Sequence, residues 1–210
     1  MIKKSFEQCY WEELTQLFGL ERVKNLNSLS ELFSARDQIQ PELKKDLIKL
    51  NTLLLDHFLD WNEDELKMQF ISPLLYLVDY NDSDRYQPFS QRILQMQSEE
   101  IELSGIVDWI LASGKQFPKE PFFFLHEYKR EKGSANDPLG QLLAAMLSAQ
   151  YQNKDPKRTL YGCYIIGKDW YFVGLEGKQY QTTLPYNTTD YPTLEKVYHA
   201  LSQIKDLILK

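Results

Sequence analysis

The chain has few of the residues that build metal-binding modules and disulfide-rich folds. Only two of its 210 residues are cysteines, Cys9 and Cys163, and neither has metal ligands at close spacing. Two reduced thiols are therefore favoured over a zinc site or a disulfide. No apolar run approaches the roughly 18 residues that a membrane-spanning helix needs. The N-terminus turns acidic before any apolar stretch, which argues against a secretory signal and predicts a cytoplasmic protein.

Positive charge is also scarce. The 24 lysines and arginines are outnumbered by 30 aspartates and glutamates, which gives a formal net charge of −6. Proteins that coat nucleic acid non-specifically are usually basic, because neutralisation of phosphates dominates that binding. The charge excludes this class of protein. It remains compatible with a nucleic-acid enzyme, whose carboxylates are offset locally by a bound metal ion.

Hydrophobic periodicity divides the chain into a helical first part and a later part that is rich in strands. In the first part, apolar residues at helical spacing predict helices over about 5–18, 28–36, 41–61 and 62–80. Asn62 is the predicted N-cap of the fourth of these helices, and Pro73 is expected to kink it. From about residue 86 the period becomes two, and this pattern predicts three strands over 89–97, 101–112 and 121–130.

A further helix follows these three strands. It is predicted over 137–152, with Asp137 as N-cap and Pro138 in the first helical position. Later strands are predicted over 159–166, 170–175 and 179–183, and a final helix over 193–209. Because the helix over 137–152 joins the third strand to the fourth, parallel pairing of those two strands is expected. The pattern therefore predicts an α/β fold with a mixed sheet and helices on both faces. Residues 1–60 would be a helical N-terminal extension and residues 61–210 the main domain.

Charged residues interrupt two of the most apolar predicted strands. Asp108 lies in the run GIVDWILA, and Glu127 and Lys129 end the run PFFFLHEYKRE. Strict alternation places Glu127 and Lys129 on one face of their strand and Phe122 and Tyr128 on the other. An unpaired buried ion costs several kcal/mol, so three such groups on neighbouring strands need a joint explanation. A divalent cation is the simplest one.

Oxygen ligands of the required kind are available in these two strands. Asp108, Glu127 and the backbone carbonyl of Tyr128 form a reasonable shell for Mg²⁺, for which Mn²⁺ is a substitute. A bound metal ion lowers the pKa of a water molecule and neutralises charge on a phosphate. A nearby lysine such as Lys129 positions the nucleophile or stabilises the transition state. The pattern thus indicates metal-assisted phosphodiester hydrolysis.

The spacing of these residues resembles that of a known superfamily. The series that carries the resemblance is Gly105, Val107 and Asp108, then Glu127 and Lys129, then Gln141 at the start of the next helix. It resembles the PD-(D/E)XK nuclease superfamily over roughly residues 60–180, with Val107 where the name-giving proline would stand. The stretches ELKMQFISPLLYLV and GKDWYFVGLEGKQY are similar to the nuclease domains of type I restriction enzymes and their stand-alone relatives.

This resemblance implies a fold, an activity and a set of roles. The fold would be restriction-endonuclease-like, with an αβββαβ core. Asp108 and Glu127 would bind the metal ion, Lys129 would be the catalytic lysine, and Gln141 would lie beside the site. Glu65 would match an acidic residue that can hold a second metal ion. The activity would be hydrolysis of nucleic acid, with DNA favoured, in bacterial restriction, phage defence or repair. A homodimer or a partner protein from such a system is a further expectation.

Several alternatives remain open at the level of sequence. The charges of Asp108, Glu127 and Lys129 are also compatible with a structural ion network, since E-x-K alone is a weak motif. Glu65 lies three residues after Asn62, which is the spacing of a capping box. Gln141 could occupy an exposed first helical turn. The acidic net charge favours a nuclease-fold module that binds nucleic acid or a protein without cutting, and a plain α/β interaction domain is a third alternative.

Overall fold

The computed structural model describes residues 2–34, 38–82, 84–129 and 137–208, except the side chains of residues 121, 123–127 and 129. The described residues form a mixed α/β fold in which one sheet carries helices on both faces. None of the helices in these ranges is long and apolar enough to cross a membrane.

The first sixty residues contain strands as well as helices. Their elements are β1 (Ile2–Ser5), a 3-10 turn (Phe6–Gln8), α1 (Trp11–Phe18), β2 (Glu21–Arg22), α2 (Asn27–Glu31) and α3 (Pro41–His57). The helix predicted over 5–18 begins only at Trp11, because Ser5 pairs with Ser104 of β4 and residues 6–8 form the 3-10 turn. Tertiary pairing thus overrides local propensity at its start. The predicted extension is thus not wholly helical. The boundary near residue 60 stays a prediction, although the sheet runs across it.

The next helix is interrupted by a π-helical turn that ends two residues before Pro73. It consists of α4 (Glu63–Leu66), a π-helical turn (Lys67–Ile71) and α5 (Ser72–Val78). Pro73 has no N–H group, and its ring clashes with the carbonyl four residues earlier, so a regular helix cannot continue through it. The expected kink therefore takes the form of a π-helical turn, a feature that is frequent at functional sites.

The remaining elements follow the predicted order closely. They are β3 (Gln87–Gln97), β4 (Ile101–Ser113), β5 (Lys119–Lys129), α6 (Pro138–Asn153), β6 (Leu160–Ile166), β7 (Asp169–Glu176), β8 (Gln179–Thr182), β9 (Tyr186–Asn187) and α7 (Tyr191–Leu207). Spatial order in the sheet is β1-β4-β5-β6-β7-β8-β2, with β3 on the other edge of β4 and β9 beside β7. β5 and β6 are parallel, which confirms the prediction made from the helix that joins them.

The sheet separates two hydrophobic cores. α1 and α6 cover one face, and α2, α3, α4, α5 and α7 cover the other. In β6, Tyr164 belongs to the core on the α6 side and its neighbour Cys163 to the core on the opposite side, as strand alternation requires. Strict alternation fails in β5, where Phe122 packs on the α6 side and Tyr128 on the opposite side. The prediction that they share a face was wrong, because the β4–β5 register shifts after Leu111.

Candidate functional site

Asp108 lies at a fork in the sheet. β3 pairs with one edge of β4 along most of its length, from Glu102 to Ala112. On the other edge, β1 pairs with residues 101–104 and β5 with residues 109–113. In the described part of the sheet, residues 105–108 therefore lie between the ends of β1 and β5. A Cβ atom at Gly105 would come within 2.4 Å of the Phe6 ring, so the segment after β1 closes over this opening from the α6 side.

The backbone of β3 is distorted directly opposite Asp108. Gln91 lies level with Asp108, between the register pairs Ser90–Trp109 and Arg92–Val107, and has a left-handed φ of 52°. For a residue other than glycine this conformation costs about 1–2 kcal/mol. The alternation of side chains between the two faces of the sheet shifts by one residue at this point. Phe89 and Leu94 on β3 lie an odd number of residues apart and still enter the same core, and so do Val107 and Ile110 on β4. Backbone strain of this kind clusters at active sites and ligand-binding sites, where the surroundings hold it in place.

The Asp108 carboxylate accepts hydrogen bonds from three different elements. Its Oδ1 atom accepts from Lys67 Nζ at 2.9 Å and from Gln91 Nε2 at 2.8 Å. Its Oδ2 atom accepts from the backbone N–H of Tyr128 at 3.0 Å, and only 12% of the side chain is exposed. A carboxylate has about four acceptor positions, so the bonds from the described residues leave one on Oδ2 for a further partner.

Lys67 connects Asp108 to the start of the preceding helix. Its ammonium group contacts Glu63 Oε1 at 2.7 Å and lies 5.5 Å from the centre of the Tyr128 ring. Burial tends to lower the pKa of Lys67, but the hydrogen bonds that its ammonium donates to the Glu63 and Asp108 carboxylates, together with their negative charge, outweigh burial and raise the pKa above its usual range. Two carboxylates thus share one ammonium. The cluster keeps a formal charge of −1, which favours the approach of a further cation.

The backbone of β5 brings the E-x-K segment to the same fork. The β4–β5 register pairs Trp109 with His126, and one further step along it sets Glu127 level with Asp108. The N–H and C=O groups of one residue point to the same side of a strand. The Tyr128 carbonyl therefore faces the same edge as the N–H that binds Asp108. The side chains of Glu127 and Lys129 lie outside the described residues, so their meeting with Asp108 stays a prediction.

Gln141 occupies the first turn of α6, where it is only 2% exposed rather than on an open surface. Neither atom of its amide has a hydrogen-bond partner among the residues that the structure describes. An unpaired buried amide costs about 1–3 kcal/mol. This turn is fixed to the segment after β1, because the Asp137 carboxylate accepts the backbone N–H of Trp11 at 2.7 Å. Asp137 does begin α6, although it makes no side-chain capping bond.

Glu65 adopts the capping arrangement. Its carboxylate accepts the backbone N–H of Asn62 at 2.7 Å, and the Asn62 side chain accepts the backbone N–H of Glu65 at 3.0 Å. The capping box is therefore confirmed, whereas binding of a second metal ion by Glu65 stays a prediction. The carboxylate of this helix that reaches Asp108, through Lys67, is that of Glu63.

Three residues of the cluster were not found from the sequence: Glu63, Lys67 and Gln91. The first two form an acid–base pair four residues apart on the helix before the first predicted strand, and this spacing was a usable signal. Gln91 enters the site because of its left-handed backbone, which the residue type does not signal.

The oxygen ligands available at the fork are of the type that a hard divalent cation such as Mg²⁺ prefers. Among the described residues, no group of three or more histidines, cysteines, aspartates or glutamates is close enough to hold a metal ion. Mg²⁺ is commonly bound by only one or two carboxylates, together with water and substrate phosphates. Asp108 with its remaining acceptor position, the Tyr128 carbonyl and a negatively charged cluster suit that mode.

Comparison with known proteins identifies no family for this chain. None of the protein-family models compared with the chain matches it, and the search of curated proteins found no match either.

Proposed function

We propose that this protein is a Mg²⁺-dependent nuclease of the PD-(D/E)XK type that hydrolyses DNA phosphodiester bonds. The observation that supports the proposal best is the Asp108 carboxylate at the β4–β5 fork, bonded to the Tyr128 backbone one residue beyond Glu127. The order α4–α5, β3, β4, β5, α6, β6 also agrees with the αβββαβ core of a restriction-endonuclease-like fold.

In this proposal Asp108, Glu127 and the Tyr128 carbonyl hold the metal ion, with Mn²⁺ as a substitute for Mg²⁺. When bound, the ion supplies Lewis-acid activation of water and neutralisation of phosphate charge. The bonds from Gln91 and the Tyr128 N–H fix the Asp108 carboxylate before the ion arrives. Such preorganisation matters because a ligand that is already oriented needs no reorganisation during the reaction.

The remaining site residues act on the substrate. Lys129 orients the attacking water and donates to the phosphate oxygens, on which negative charge increases as the water approaches the phosphorus in line with the leaving oxygen. The resemblance implies that Gln141 would donate and accept hydrogen bonds beside the site. Its buried amide has no partner among the described residues, although α6 covers the sheet face opposite to the helix of Lys67. The cellular context that we propose is bacterial restriction, phage defence or repair in the cytoplasm, with a homodimer or a partner protein.

A second candidate is a nuclease-fold module that binds nucleic acid or a protein without cutting. Two observations favour it. The Lys67 ammonium contacts Asp108 at 2.9 Å, so a cationic group is already bound to the carboxylate. The formal net charge of −6 also disfavours tight binding of a polyanion unless a metal ion offsets it.

Incubation of the purified protein with single- and double-stranded DNA and RNA, in Mg²⁺ and in Mn²⁺, separates the two candidates. We expect metal-dependent cleavage of DNA that is lost in Asp108→Ala and in Lys129→Ala. Asp46→Ala is the matched control, because Asp46 is an exposed carboxylate on α3, 17 residues before Glu63.

Two results would reject the nuclease proposal. One is the lack of cleavage of every substrate by the wild-type protein, together with metal binding that is unchanged in Asp108→Ala. The other is cleavage that persists in Lys129→Ala, which would point to a contaminant or to another site.

A further inference from the structure

A small pocket opens beside Asp108, between the helix of α4 and α5 and the β3–β4 pair. Its volume is about 190 Å³, and its lining residues are Ser72, Leu75, Tyr76, Asp79, Tyr80, Asn81, Pro88 and Trp109. Sites for drug-sized ligands measure about 300–1,000 Å³. The pocket is therefore too small for a whole nucleotide and has room for a single flat ring system.

The floor of the pocket is aromatic and rigid. Tyr80 is 2% exposed, and its ring centre lies 5.4 Å from that of Trp109. The Tyr80 hydroxyl donates to the Leu201 carbonyl at 2.5 Å, which fixes the ring against α7. Tyr76, in contrast, is 81% exposed at the rim. A ring that enters the pocket would thus lie over the aromatic pair of Tyr80 and Trp109 at its floor and beside the exposed ring of Tyr76 at its mouth.

The polar groups of the pocket lie at its rim. Asp79 and Asn81 contribute a carboxylate and an amide, which are joined by a 3.3 Å hydrogen bond, and Ser72 contributes a hydroxyl. Carboxylates accept hydrogen bonds from the exocyclic amine of a base, as Asp and Glu do from cytosine. The same carboxylate repels a phosphate group. The rim therefore suits a nitrogen-containing ring with an amine, not a phosphate.

The pocket is adjacent to the Asp108 cluster along two elements. Trp109 follows Asp108 directly, and neighbouring Cα atoms are about 3.8 Å apart. Ser72 comes five residues after Lys67, which is about 7.5 Å along a helix. Lys67, Ser72 and Tyr76 thus lie on the same helix, and this helix forms one wall of both the cluster and the pocket.

We propose that the pocket binds an unpaired nucleobase of the same strand whose phosphate is held at Asp108, so that single-stranded nucleic acid is the preferred substrate. The inference rests on the proposed nuclease function, since that function places a phosphodiester at Asp108. Aromatic side chains bind bases of any sequence by stacking. A base in a duplex is paired and stacked on its neighbours, and must be extruded before it can enter such a pocket.

Fluorescence anisotropy with a short labelled single-stranded DNA, at low salt and with Ca²⁺ in place of Mg²⁺, tests the pocket under conditions in which a divalent cation offsets the negative charge at Asp108. We expect Tyr76→Ala to weaken binding by about 5- to 150-fold, the loss that corresponds to one base–aromatic stack. Tyr151→Ala is the matched control, because Tyr151 is a helix-surface tyrosine that is 53% exposed outside the pocket. An oligonucleotide of abasic sites should bind weakly, and equally so, to the wild type and to Tyr76→Ala.

Two results would overturn the inference: equal affinity of the wild type for single-stranded and duplex DNA, or equal affinity of Tyr76→Ala and Tyr151→Ala for the single strand. The binding assay reads affinity and not cleavage, so its outcome is separate from that of the nuclease proposal. Base-dependent binding without any cleavage would support the base-binding pocket and reject the nuclease function. Cleavage that depends on Asp108, combined with unselective binding, would reject the pocket alone.

Discussion

The two faces of the sheet meet their helices in different ways. On the α6 face the contacts are apolar and close: a Cβ atom at Gly162 would lie 2.8 Å from Met146 Sδ and 3.1 Å from the Leu142 methyl groups. On the opposite face, at Asp108, the contacts join charged groups, and the opposing strand residue Gln91 is strained. No room for a ligand is left between Gly162 and Leu142. The Asp108 region combines two carboxylates with one ammonium, and one acceptor position on Asp108 Oδ2 has no partner among the described residues.

This difference indicates a division between stability and chemistry. Close apolar packing accounts for most of the stability that a region contributes, because large-to-small changes there remove both transfer energy and contacts. A charged cluster at the surface of a core contributes less, since desolvation offsets most of its attraction. We therefore infer that α6 anchors the fold, whereas the fork at Asp108 is retained for binding. The predictions below test this contrast in order of decreasing expected effect.

The largest effect is expected from Leu142→Ala, on the α6 face. Leu142 is 1% exposed, and its methyl groups pack where Gly162 lacks a side chain. Truncation of a buried leucine costs about 2–5 kcal/mol, and urea denaturation should show a loss in this range. Leu184→Ala is the control, because Leu184 is 85% exposed and should change the unfolding free energy by less than about 0.5 kcal/mol. Equal effects of the two changes would mean that α6 does not anchor the fold.

A smaller effect is expected from Tyr164, also on the α6 face, at alkaline pH. Burial raises the pKa of Tyr164 to about 12. An unfolded tyrosine has a pKa of about 10, so above that pH the unfolded state releases its proton while the folded state keeps it. The stability contributed by the buried neutral phenol is therefore complete below pH 10 and falls as the pH rises to 12, by on the order of 2–3 kcal/mol.

Tyr164→Phe removes this titration. Urea unfolding at a series of alkaline pH values should show that the variant loses less stability than the wild type over this range, because phenylalanine has no proton to release. Parallel curves for the two proteins would show that the phenol is not protected from titration in the folded state.

The smallest of these effects concerns Lys67 in the Asp108 cluster. Removal of its positive charge in Lys67→Met should raise the affinity for Mn²⁺ by about tenfold, or about 1.4 kcal/mol. Unit charges about 4 Å apart interact by about 1 kcal/mol in water and by about 4 kcal/mol at an effective dielectric constant of 20, and the partly exposed Lys67 lies toward the lower value. Isothermal titration calorimetry measures this change. Lys4→Met, which breaks the ion pair of Lys4 with Glu13 in another part of the chain, is the control. A lower affinity in Lys67→Met would mean that Lys67 supports the metal site instead of competing with it.

Much of the α6 side could be predicted from the sequence. The helix over 137–152 and the strands around it differ from the structure by one or two residues at their ends, because apolar periodicity and the Asp-Pro start are local signals. The short strands β1 and β2 could not be found in this way. Their residues are largely exposed, and they form strands only because distant partners in β4 and β8 pair with them.

The Asp108 cluster was only partly predictable. Asp108 stood out because a charge interrupts an apolar strand, and this signal led to a residue that is bonded to three other elements. The identity of its partners depends on the π-helical turn at Lys67 and on the left-handed backbone of Gln91. Pro73 is a local signal for the first distortion, but it does not indicate which side chain will reach Asp108. The left-handed backbone of Gln91 has no such signal in its residue type. For Glu65 the local alternative, a capping box, was the one that formed.

Calorimetric titration of the full chain with Mn²⁺, wild type against Asp108→Asn, tests the central claim most directly. The account predicts that the wild type binds Mn²⁺ and that Asp108→Asn binds it more than about 100-fold more weakly, since loss of a ligand should exceed the 10- to 100-fold effect of a group that only orients one. Asp46→Asn, at an exposed position of α3, should bind like the wild type. Equal Mn²⁺ affinity of the wild type and Asp108→Asn would contradict the account, because the fork at Asp108 would then not be a metal site.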